Sequence, residues 1–369
     1  MTFYDELATL NYGAVRDSFE HISAREVAQA LAADRLTLQD FAALISPAAA
    51  PYLNQMAAKA HALTVERFGR VVQMYIPLYL SNYCTNSCVY CGFNHANKIL
   101  RKKLSLEEVD SEVAAIKELG YEHILLVAGE HPREAGPDYY EAVIRRIRPH
   151  FAQISIEVQP LETAEYARLR EAGASYVCVY QETYNRETYP KYHPHGLKAD
   201  FRYRLETPER AAAAGIKKVG IGALLGLDDW RTDAFCTAMH LRYLEKHCWQ
   251  TKYSVSLPRL RPHVGAFMPT APISDRELMQ LICAYRLFDA QIEISMSTRE
   301  SAAFRDKAIL VGATSVSAQS STQPGGYVHP QKELEQFAIN DTRTTQEMRE
   351  AIIRQGYEPV WKDWDAWIS

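Results

Sequence analysis

Neither a long apolar run nor an excess of positive charge occurs in this 369-residue sequence. No stretch approaches the run of about 18 apolar residues that a membrane-spanning helix needs. The 41 Lys and Arg are offset by 45 Asp and Glu, and the first residues, MTFYDELATL, lack the basic start and apolar centre of a signal peptide. We therefore expect a cytoplasmic protein that neither crosses a membrane nor binds nucleic acid.

Cysteine is also scarce, and its seven copies do not suggest a disulfide framework. An odd number of cysteines in a non-secreted chain of this length argues against structural disulfides. Four of them occur singly, as small buried residues do: Cys178, Cys236, Cys248 and Cys283. The other three lie within eight residues of one another and need a different explanation: Cys84, Cys88 and Cys91.

The hydrophobic pattern divides the chain into three parts. Residues 1–70 have helical periodicity and predict an N-terminal helical extension, and residues 321–369 predict C-terminal helices packed on the rest. Between them, residues 71–320 alternate short β-rich runs with amphipathic stretches. Eight strand candidates with helical connections are typical of an α/β fold, the (βα)8 TIM-type barrel. The candidates are residues 71–80, 123–128, 154–158, 176–180, 217–222, 252–257, 291–296 and 313–318.

A doubly wound open sheet is the alternative α/β architecture. It is less favoured because no Gly-rich dinucleotide fingerprint follows an early strand. The segment GIGALLG, residues 220–226, resembles one loosely, but it lies in the fifth unit rather than the first.

The three clustered cysteines directly follow the first predicted strand, at the end of a barrel where active sites form. Three thiolates this close repel one another unless a metal compensates, so the spacing indicates a metal site. A zinc site completed by His95 is one alternative, but structural zinc usually takes two separated pairs of ligands. An iron–sulfur cluster with three cysteine ligands and one open, catalytic iron fits better.

The segment CTNSCVYCGF, residues 84–93, resembles the cluster-binding loop of the radical S-adenosylmethionine (radical SAM) superfamily, including an aromatic residue, Tyr90, before the third cysteine. The resemblance implies a [4Fe–4S] cluster on Cys84, Cys88 and Cys91 and a barrel fold. It further implies that SAM binds the fourth iron and is cleaved to methionine and a 5′-deoxyadenosyl radical.

Several strand-end residues are candidate SAM contacts. Ala128-Gly129-Glu130 is similar to the superfamily's Gly-Gly-Glu segment, which holds the methionine amino group; Ala128 departs from the first glycine. The glycines of the fifth unit predict a close approach to adenine, and three polar residues after strands three and four predict contacts to ribose or carboxylate. These candidates are Gly220, Gly222, Gly226, Gln159, Gln181 and Glu182.

Nearly the whole chain, including SLPRLRPHVG and ISMSTRE, resembles the tyrosine lyases of thiamine thiazole biosynthesis. This resemblance implies cleavage of the Cα–Cβ bond of L-tyrosine to 2-iminoacetate and p-cresol. It also implies a complex with thiazole synthase and a reduced flavodoxin-type electron donor.

A zwitterionic amino acid needs a cation for its carboxylate, and arginine suits a bidentate clamp. Arg299, after the seventh strand, is the favoured clamp, assisted by Ser317 at the end of the eighth; Arg259 and Arg261 are the alternatives. Two tyrosines near the cysteine loop are candidates to flank the substrate phenol: Tyr83 and Tyr90.

Three other functions remain open. The tyrosine lyase of iron-only hydrogenase maturation is similar but carries further cysteines in a C-terminal extension, whereas this chain has none after Cys283. A biotin-synthase-like sulfur inserter would need a second cluster as its sulfur source. A structural cluster on a non-catalytic barrel would need four protein ligands away from the rim.

Overall fold

In a computed structural model, which describes residues 2–265 and 267–361, eight parallel strands close into a barrel. The strands pair in chain order and β1 closes the ring against both β2 and β8. The (βα)8 prediction is confirmed, and the doubly wound sheet is excluded. The strands are β1 Val71–Ser81, β2 His123–Ala128, β3 Gln153–Glu157, β4 Tyr176–Cys178, β5 Lys218–Gly222, β6 Lys252–Ser256, β7 Glu293–Met296 and β8 Ser315–Ser317.

Helices surround this barrel and supply the connections between its strands. Their ends follow local sequence signals: Ser105 and Glu108 form the expected capping box at the start of α6, and Gly120 follows its end with φ +87°. No helix among the described residues is long and apolar enough to cross a membrane. The helices are α1 Phe3–Ala8, α2 Tyr12–Ser18, α3 Ala24–Ala32, α4 Leu38–Ile45, α5 Leu53–Phe68, α6 Leu106–Glu118, α7 Pro137–Ile147, α8 Thr163–Ala172, α9 Tyr189–Tyr192, α10 Phe201–Leu205, α11 Thr207–Ala213, α12 Trp230–His247, α13 Asp275–Phe288, α14 Ala302–Val311 and α15 Thr345–Arg354.

The first five helices pack on the outside of one side of the barrel. α4 and α5 contact α13, and α4 also contacts α12. Gln280 of α13 fixes this layer, because its side-chain amide donates to the carbonyls of Leu44 and Ser46 at 2.8 and 2.9 Å. The N-terminal helices thus extend the core and leave the carboxyl ends of the strands uncovered.

Between the barrel and residue 361, where the described part of the chain ends, there are one α-helix and a short strand. Residues 332–334 form a 3-10 turn, α15 follows, and β9 Glu358–Val360 pairs in parallel with the start of β1. The sequence analysis did not predict β9. The Trp-rich segment KDWDAWIS, residues 362–369, lies outside the described residues.

Polar side chains fill the amino-terminal part of the barrel, which we call the floor. Lys218 forms an ion pair with Glu293 at 2.8 Å. Three hydrogen-bonded pairs complete the floor: Gln73 with Gln153 at 2.9 Å, His123 with Ser155 at 2.7 Å, and Tyr176 with Ser254 at 2.5 Å. The floor therefore satisfies most of its polar groups internally, as a packed interior requires.

The connection from β4 to β5 is long and folds over the opposite, carboxyl-terminal end of the barrel. It contains α9, α10 and α11 and contacts the cysteine loop through its backbone. Ser87 donates its N–H to the carbonyl of His195 at 3.0 Å, and Val89 donates to that of Tyr192 at 3.1 Å. This contact brings polar residues from the middle of the chain to the end where the strands carry their candidate site residues.

Candidate active site

A cavity of about 1430 Å³, open solvent included, lies at the carboxyl ends of the strands. We call it the mouth. Its lining includes nine side chains that the sequence analysis named as candidates: Cys84, Cys88, Cys91, Tyr90, Glu130, Glu182, Arg261, Arg299 and Ser317. Three further charged side chains line it as well: Glu157, Lys198 and Arg204. Active sites of barrel enzymes form at this end because the βα loops converge there.

The cysteine loop is held by hydrogen bonds that begin at its own polar residues. Asn94 donates to the carbonyl of Cys88 at 3.0 Å, and His95 donates its backbone N–H to the carbonyl of Asn86 at 2.8 Å. The Arg101 guanidinium binds the carbonyls of Asn82 and Phe93 at 2.7 and 2.9 Å. The loop therefore has a fixed backbone path around the three thiols.

Burial disfavours the charged form of these thiols. It raises the pKa of Cys84 to about 11 and also raises that of Cys91. Metal binding by these residues would consequently release protons, because thiolates are the ligands. No group of three or more His, Cys, Asp or Glu side chains in residues 2–265 and 267–361 is arranged to hold a single metal ion.

His95 does not support the zinc alternative. Its side chain is exposed, is absent from the residues lining the mouth, and places Nδ1 3.3 Å from the carbonyl oxygen of Cys84. The donor set that faces the cavity consists of three thiols from one loop, which fits an iron–sulfur cluster with one open iron.

Gly129 and Glu130 join the end of β2 to the cysteine loop. A Cβ atom at Gly129 would lie 2.3 Å from the carbonyl oxygen of Tyr83, so only glycine allows this approach. The Glu130 carboxylate accepts hydrogen bonds from Asn86 and Arg204, both at 2.8 Å. Burial opposes ionisation of Glu130, but the Arg204 and Lys198 charges outweigh it and lower its pKa.

A second ion pair lies beside this one. Lys198 pairs with Glu182, and Arg204 stands 3.8 Å from the same carboxylate. Glu182 has φ +72°, a strained backbone conformation for a residue with a side chain. Tyr90 lines the mouth as well, and its hydroxyl lies 2.7 Å from Nε2 of His193. We call Tyr90 and the two ion pairs, Glu130 with Arg204 and Glu182 with Lys198, the charged wall. The wall thus carries two carboxylates and two cations in fixed positions.

Five predicted SAM contacts do not line the mouth: Gly220, Gly222, Gly226, Gln159 and Gln181. The Gln159 side-chain amide accepts a hydrogen bond from the Tyr140 hydroxyl at 2.7 Å and donates one to the Ala135 carbonyl at 3.0 Å. Gln181 points to the carbonyl of Phe201 at 3.4 Å. Gly222 allows β5 to approach β6, because a Cβ there would lie 2.3 Å from the Ser256 carbonyl oxygen. In this structure these residues make contacts between elements, and their role as SAM contacts stays a prediction.

The three candidate arginines differ in how their charges are neutralised. Arg259 forms ion pairs with Glu300 and Asp275 and does not line the mouth. Arg299 and Arg261 do line it, and neither forms an ion pair with a carboxylate of the described residues. The Arg299 guanidinium stands 3.6 Å from the centre of the Phe337 ring and donates to the Arg259 carbonyl at 3.3 Å. Arg299 is therefore fixed in place with its charge unpaired.

Ser317 and Tyr83 complete the predicted residues. The Ser317 hydroxyl is buried, lines the mouth and has no hydrogen-bond partner among the described residues, which is an unusual state for a buried polar group. Tyr83 does not line the mouth and packs edge-on against His131.

Five of the lining residues that the sequence analysis did not name bear directly on the site. Lys198 and Arg204 belong to the long β4–β5 connection and Gln336 and Phe337 to the tail, so no strand-end pattern marks them. Glu157 is the last residue of β3, and the alternation in ISIEV could have identified it as an inward-facing carboxylate.

The mouth and the barrel together define a class, the radical SAM enzymes: three cysteines on the loop after β1, a Gly–Glu segment after β2, and charged side chains around one cavity. A family model described as "Radical SAM superfamily" matches residues 78–237, and one described as "Biotin and Thiamin Synthesis associated domain" matches residues 256–358.

Comparison with known proteins narrows the class. The chain is 48% identical to the 2-iminoacetate synthase of Escherichia coli and 47% identical to that of Salmonella typhimurium, over all of this chain and 98% of each relative. Among solved structures, HydG, a maturase of the [FeFe]-hydrogenase, superposes with a TM-score of 0.90 at 30% identity, covering 96% of this chain and 81% of HydG.

The chain belongs to the 2-iminoacetate synthase family of radical SAM carbon–carbon lyases. Its cofactors are those of the superfamily, a [4Fe–4S] cluster and SAM. The residues present fit them: three cavity-lining thiols from one loop, and a glycine at the point where a Cβ atom would clash with that loop.

Proposed function

We propose that this protein cleaves the Cα–Cβ bond of L-tyrosine, with the substrate carboxylate bound by Arg299. The observation that carries the proposal is the unpaired Arg299 guanidinium in the cavity that also receives the three cysteines. The full-length identity to 2-iminoacetate synthases supports the same reaction.

When bound, the cluster and SAM would supply the one-electron cleavage of SAM, and the 5′-deoxyadenosyl radical from that cleavage would remove one hydrogen atom from the substrate. The proposed products are 2-iminoacetate and p-cresol, with 5′-deoxyadenosine and methionine. Each turnover would consume two electrons and one proton: one electron for the cleavage of SAM, and one electron with the proton for the conversion of the departing 4-hydroxybenzyl fragment to p-cresol.

The protein's own residues bind and orient the substrate. Arg299 offers two parallel N–H groups to a carboxylate, a geometry that lysine cannot copy. The Ser317 hydroxyl, without a partner among the described residues, is free to donate to the same carboxylate. Cys84, Cys88 and Cys91 are the proposed cluster ligands, and Gly129 and Glu130 the proposed contacts of the SAM methionine group.

The charged wall around Glu130 and Glu182 suits the amino and carboxylate groups of SAM. We assign Arg204 and Lys198 there because each already faces a carboxylate of the wall and reaches the cavity. Tyr90 closes this side of the site, and its role in flanking the substrate phenol stays a prediction.

A hydrogenase-maturase-type tyrosine lyase is the second candidate. The HydG superposition, which covers 96% of this chain and 81% of HydG at 30% identity, supports it, whereas the 48% identity to a 2-iminoacetate synthase over the whole chain favours the first candidate. The thiazole synthase complex, the reduced flavodoxin-type donor and the cytoplasmic location are proposals that rest on the family resemblance.

The test is an anaerobic assay. Protein reconstituted with iron and sulfide is reduced with dithionite and supplied with SAM and L-tyrosine, and 5′-deoxyadenosine and p-cresol are measured by chromatography. Both products, formed only with tyrosine present in quantity, are expected. Formation of 5′-deoxyadenosine without p-cresol would mean that the protein is a radical SAM enzyme with a substrate other than tyrosine. Neither product, from protein carrying about four irons, would favour a structural cluster.

A further inference from the structure

Glu157 is a carboxylate without a partner. It ends β3, is partly buried and lines the mouth, yet its side-chain carboxylate forms no hydrogen bond or ion pair with any described residue. The other two glutamates of the cavity are paired, Glu130 with Arg204 and Glu182 with Lys198. A carboxylate that leaves water without a protein partner is costly unless a ligand supplies a donor.

Its surroundings suit an aromatic ring. In the strand register Glu157 is paired with Val127 of β2, and Leu125, Cys178 and Tyr180 line the cavity on the neighbouring strands. These four neighbours of Glu157 are apolar or aromatic, and Glu157 adds a carboxylate beside them. This part of the cavity combines a surface for ring packing with an acceptor, the combination that a phenol requires.

Glu157 also stands across the barrel from the proposed clamp. β3 and β7 are four strands apart in an eight-stranded ring, so they form opposite walls, and Arg299 follows β7 directly. A tyrosine with its carboxylate on Arg299 extends its ring toward the β3 wall. The ammonium group, one bond from the same carbon as the carboxylate, stays near the Arg299 side.

Burial, followed by the nearby Glu182 charge, raises the pKa of Glu157 to about 7, although three cations oppose this. The ionised form of this carboxylate is therefore less stable than that of a free carboxylate, and a hydrogen-bond donor would stabilise the ionised form. The charged and titratable groups that interact with it are Glu182, Arg299, Lys198, Arg204, Tyr75, Tyr79, Tyr180 and Cys178.

We propose that Glu157 is the specificity-determining acceptor for the para-hydroxyl of the substrate tyrosine. The inference rests on the proposed function and adds to it the residue that separates tyrosine from phenylalanine. A site built to bind a substrate hydroxyl rejects the analogue that lacks it, because its own polar group is then left unpaired.

The experiment compares tyrosine and phenylalanine as substrates of the cluster-loaded enzyme. p-Cresol, toluene and 5′-deoxyadenosine are measured for the wild type, Glu157→Leu and Glu157→Gln. The wild type should prefer tyrosine by about 10⁴-fold in kcat/KM. In Glu157→Leu the preference should fall to about tenfold, whereas Glu157→Gln, which keeps an acceptor oxygen, should stay within about tenfold of the wild type.

Glu118→Leu is the matched control, since Glu118 is an exposed residue at the end of α6 and the substitution is the same. Its tyrosine preference should equal that of the wild type. Iron content and SAM cleavage establish that each variant is loaded, and Glu157→Met replaces the leucine variant if that one fails to load.

The outcomes separate the two proposals. A wild type that forms no p-cresol overturns the proposed function itself. A wild type that forms p-cresol while the loaded apolar variant keeps its preference for tyrosine overturns the assignment of Glu157. Equal loss of both substrates in that variant overturns it as well, because Glu157 would then bind a group that tyrosine and phenylalanine share.

Discussion

The floor and the mouth of the barrel contain polar side chains of the same kinds, but the floor pairs most of them with one another, whereas the mouth leaves several without a partner among the described residues. In the floor Lys218 meets Glu293 and Gln73 meets Gln153. In the mouth Arg299 and Glu157 have no ionic partner and the Ser317 hydroxyl has no hydrogen-bond partner among the described residues. The same chemistry thus stabilises the barrel at one end and remains available to a ligand at the other.

This difference gives a criterion for reading the site. A buried polar group that a neighbour satisfies contributes to the fold, and one left without a partner needs a water or a ligand. The Nδ1 atom of His123 is an exception in the floor, since it is buried without a partner. The criterion favours Arg299 over Arg259, as the sequence analysis does, because Arg259 is paired with Glu300 and Asp275.

The largest effect is expected at the cysteine loop. Cys88→Ser should abolish cluster loading and SAM cleavage while leaving the fold intact, because Cys88 contributes a thiolate that serine cannot replace. Iron content, 5′-deoxyadenosine and far-ultraviolet circular dichroism measure the three properties. Continued formation of 5′-deoxyadenosine would show that Cys88 is not a ligand.

In the floor, the substitution Lys218→Met should lower the stability of the protein without changing its substrate. Without the Lys218 cation, the largely buried Glu293 loses this ion pair. The free energy of unfolding should fall by about 2–4 kcal/mol. The shift in urea midpoint of the reconstituted protein measures it. The double variant Lys218→Met/Glu293→Leu should recover most of the loss, and failure to do so would mean that the pair is not the cause.

Arginine substitutions compare the mouth with its rim. Arg299→Lys keeps the charge but loses the fork, so kcat/KM for tyrosine should fall by about 10- to 100-fold with SAM cleavage retained. Arg259→Lys, the matched control, weakens a contact to Glu300 and Asp275 and should lower stability more than turnover. Equal loss of tyrosine turnover and SAM cleavage in Arg299→Lys would point to a cofactor role.

The smallest effect concerns pH. Because the pKa of Glu157 is raised to about 7, the folded state binds its proton more tightly than the unfolded chain does. The stability contribution of Glu157 is therefore greatest at acid pH and is lost as pH rises from about 4.5 to 7. Glu157→Gln should be more stable than the wild type by about 1–2 kcal/mol at pH 8 and equal to it near pH 4.5. An equal difference at both pH values would contradict the shift.

Much of the fold was predictable because strands and helices carry local signals. All eight barrel strands fall within a few residues of the expected runs, and the capping box of α6 begins that helix where expected. β9 was not predictable, since Glu358–Val360 is three residues long, contains a proline and gains its structure only by pairing with β1.

The site was predictable where a strand end determines it. Cys84, Glu130, Arg299 and Ser317 each follow or end a strand, and all four line the mouth. Gln181 lies three residues beyond the end of β4, and its neighbours Tyr180 and Glu182 line the mouth while Gln181 does not.

Gln159 lies beyond the end of β3, where the alternation no longer holds. Lys198 and Arg204 reach the cavity only because the β4–β5 connection folds back over the cysteine loop. That is a tertiary contact, and neither residue has a strand-end signal in its own sequence.

The most direct measurement is the structure of the reconstituted protein with SAM and L-tyrosine, obtained anaerobically and without reductant so that neither is consumed. We expect the tyrosine carboxylate on Arg299 and Ser317 and its hydroxyl on Glu157, with the floor pairs unchanged. A carboxylate bound by Arg261 instead, or a hydroxyl turned away from Glu157 into solvent, would contradict the account.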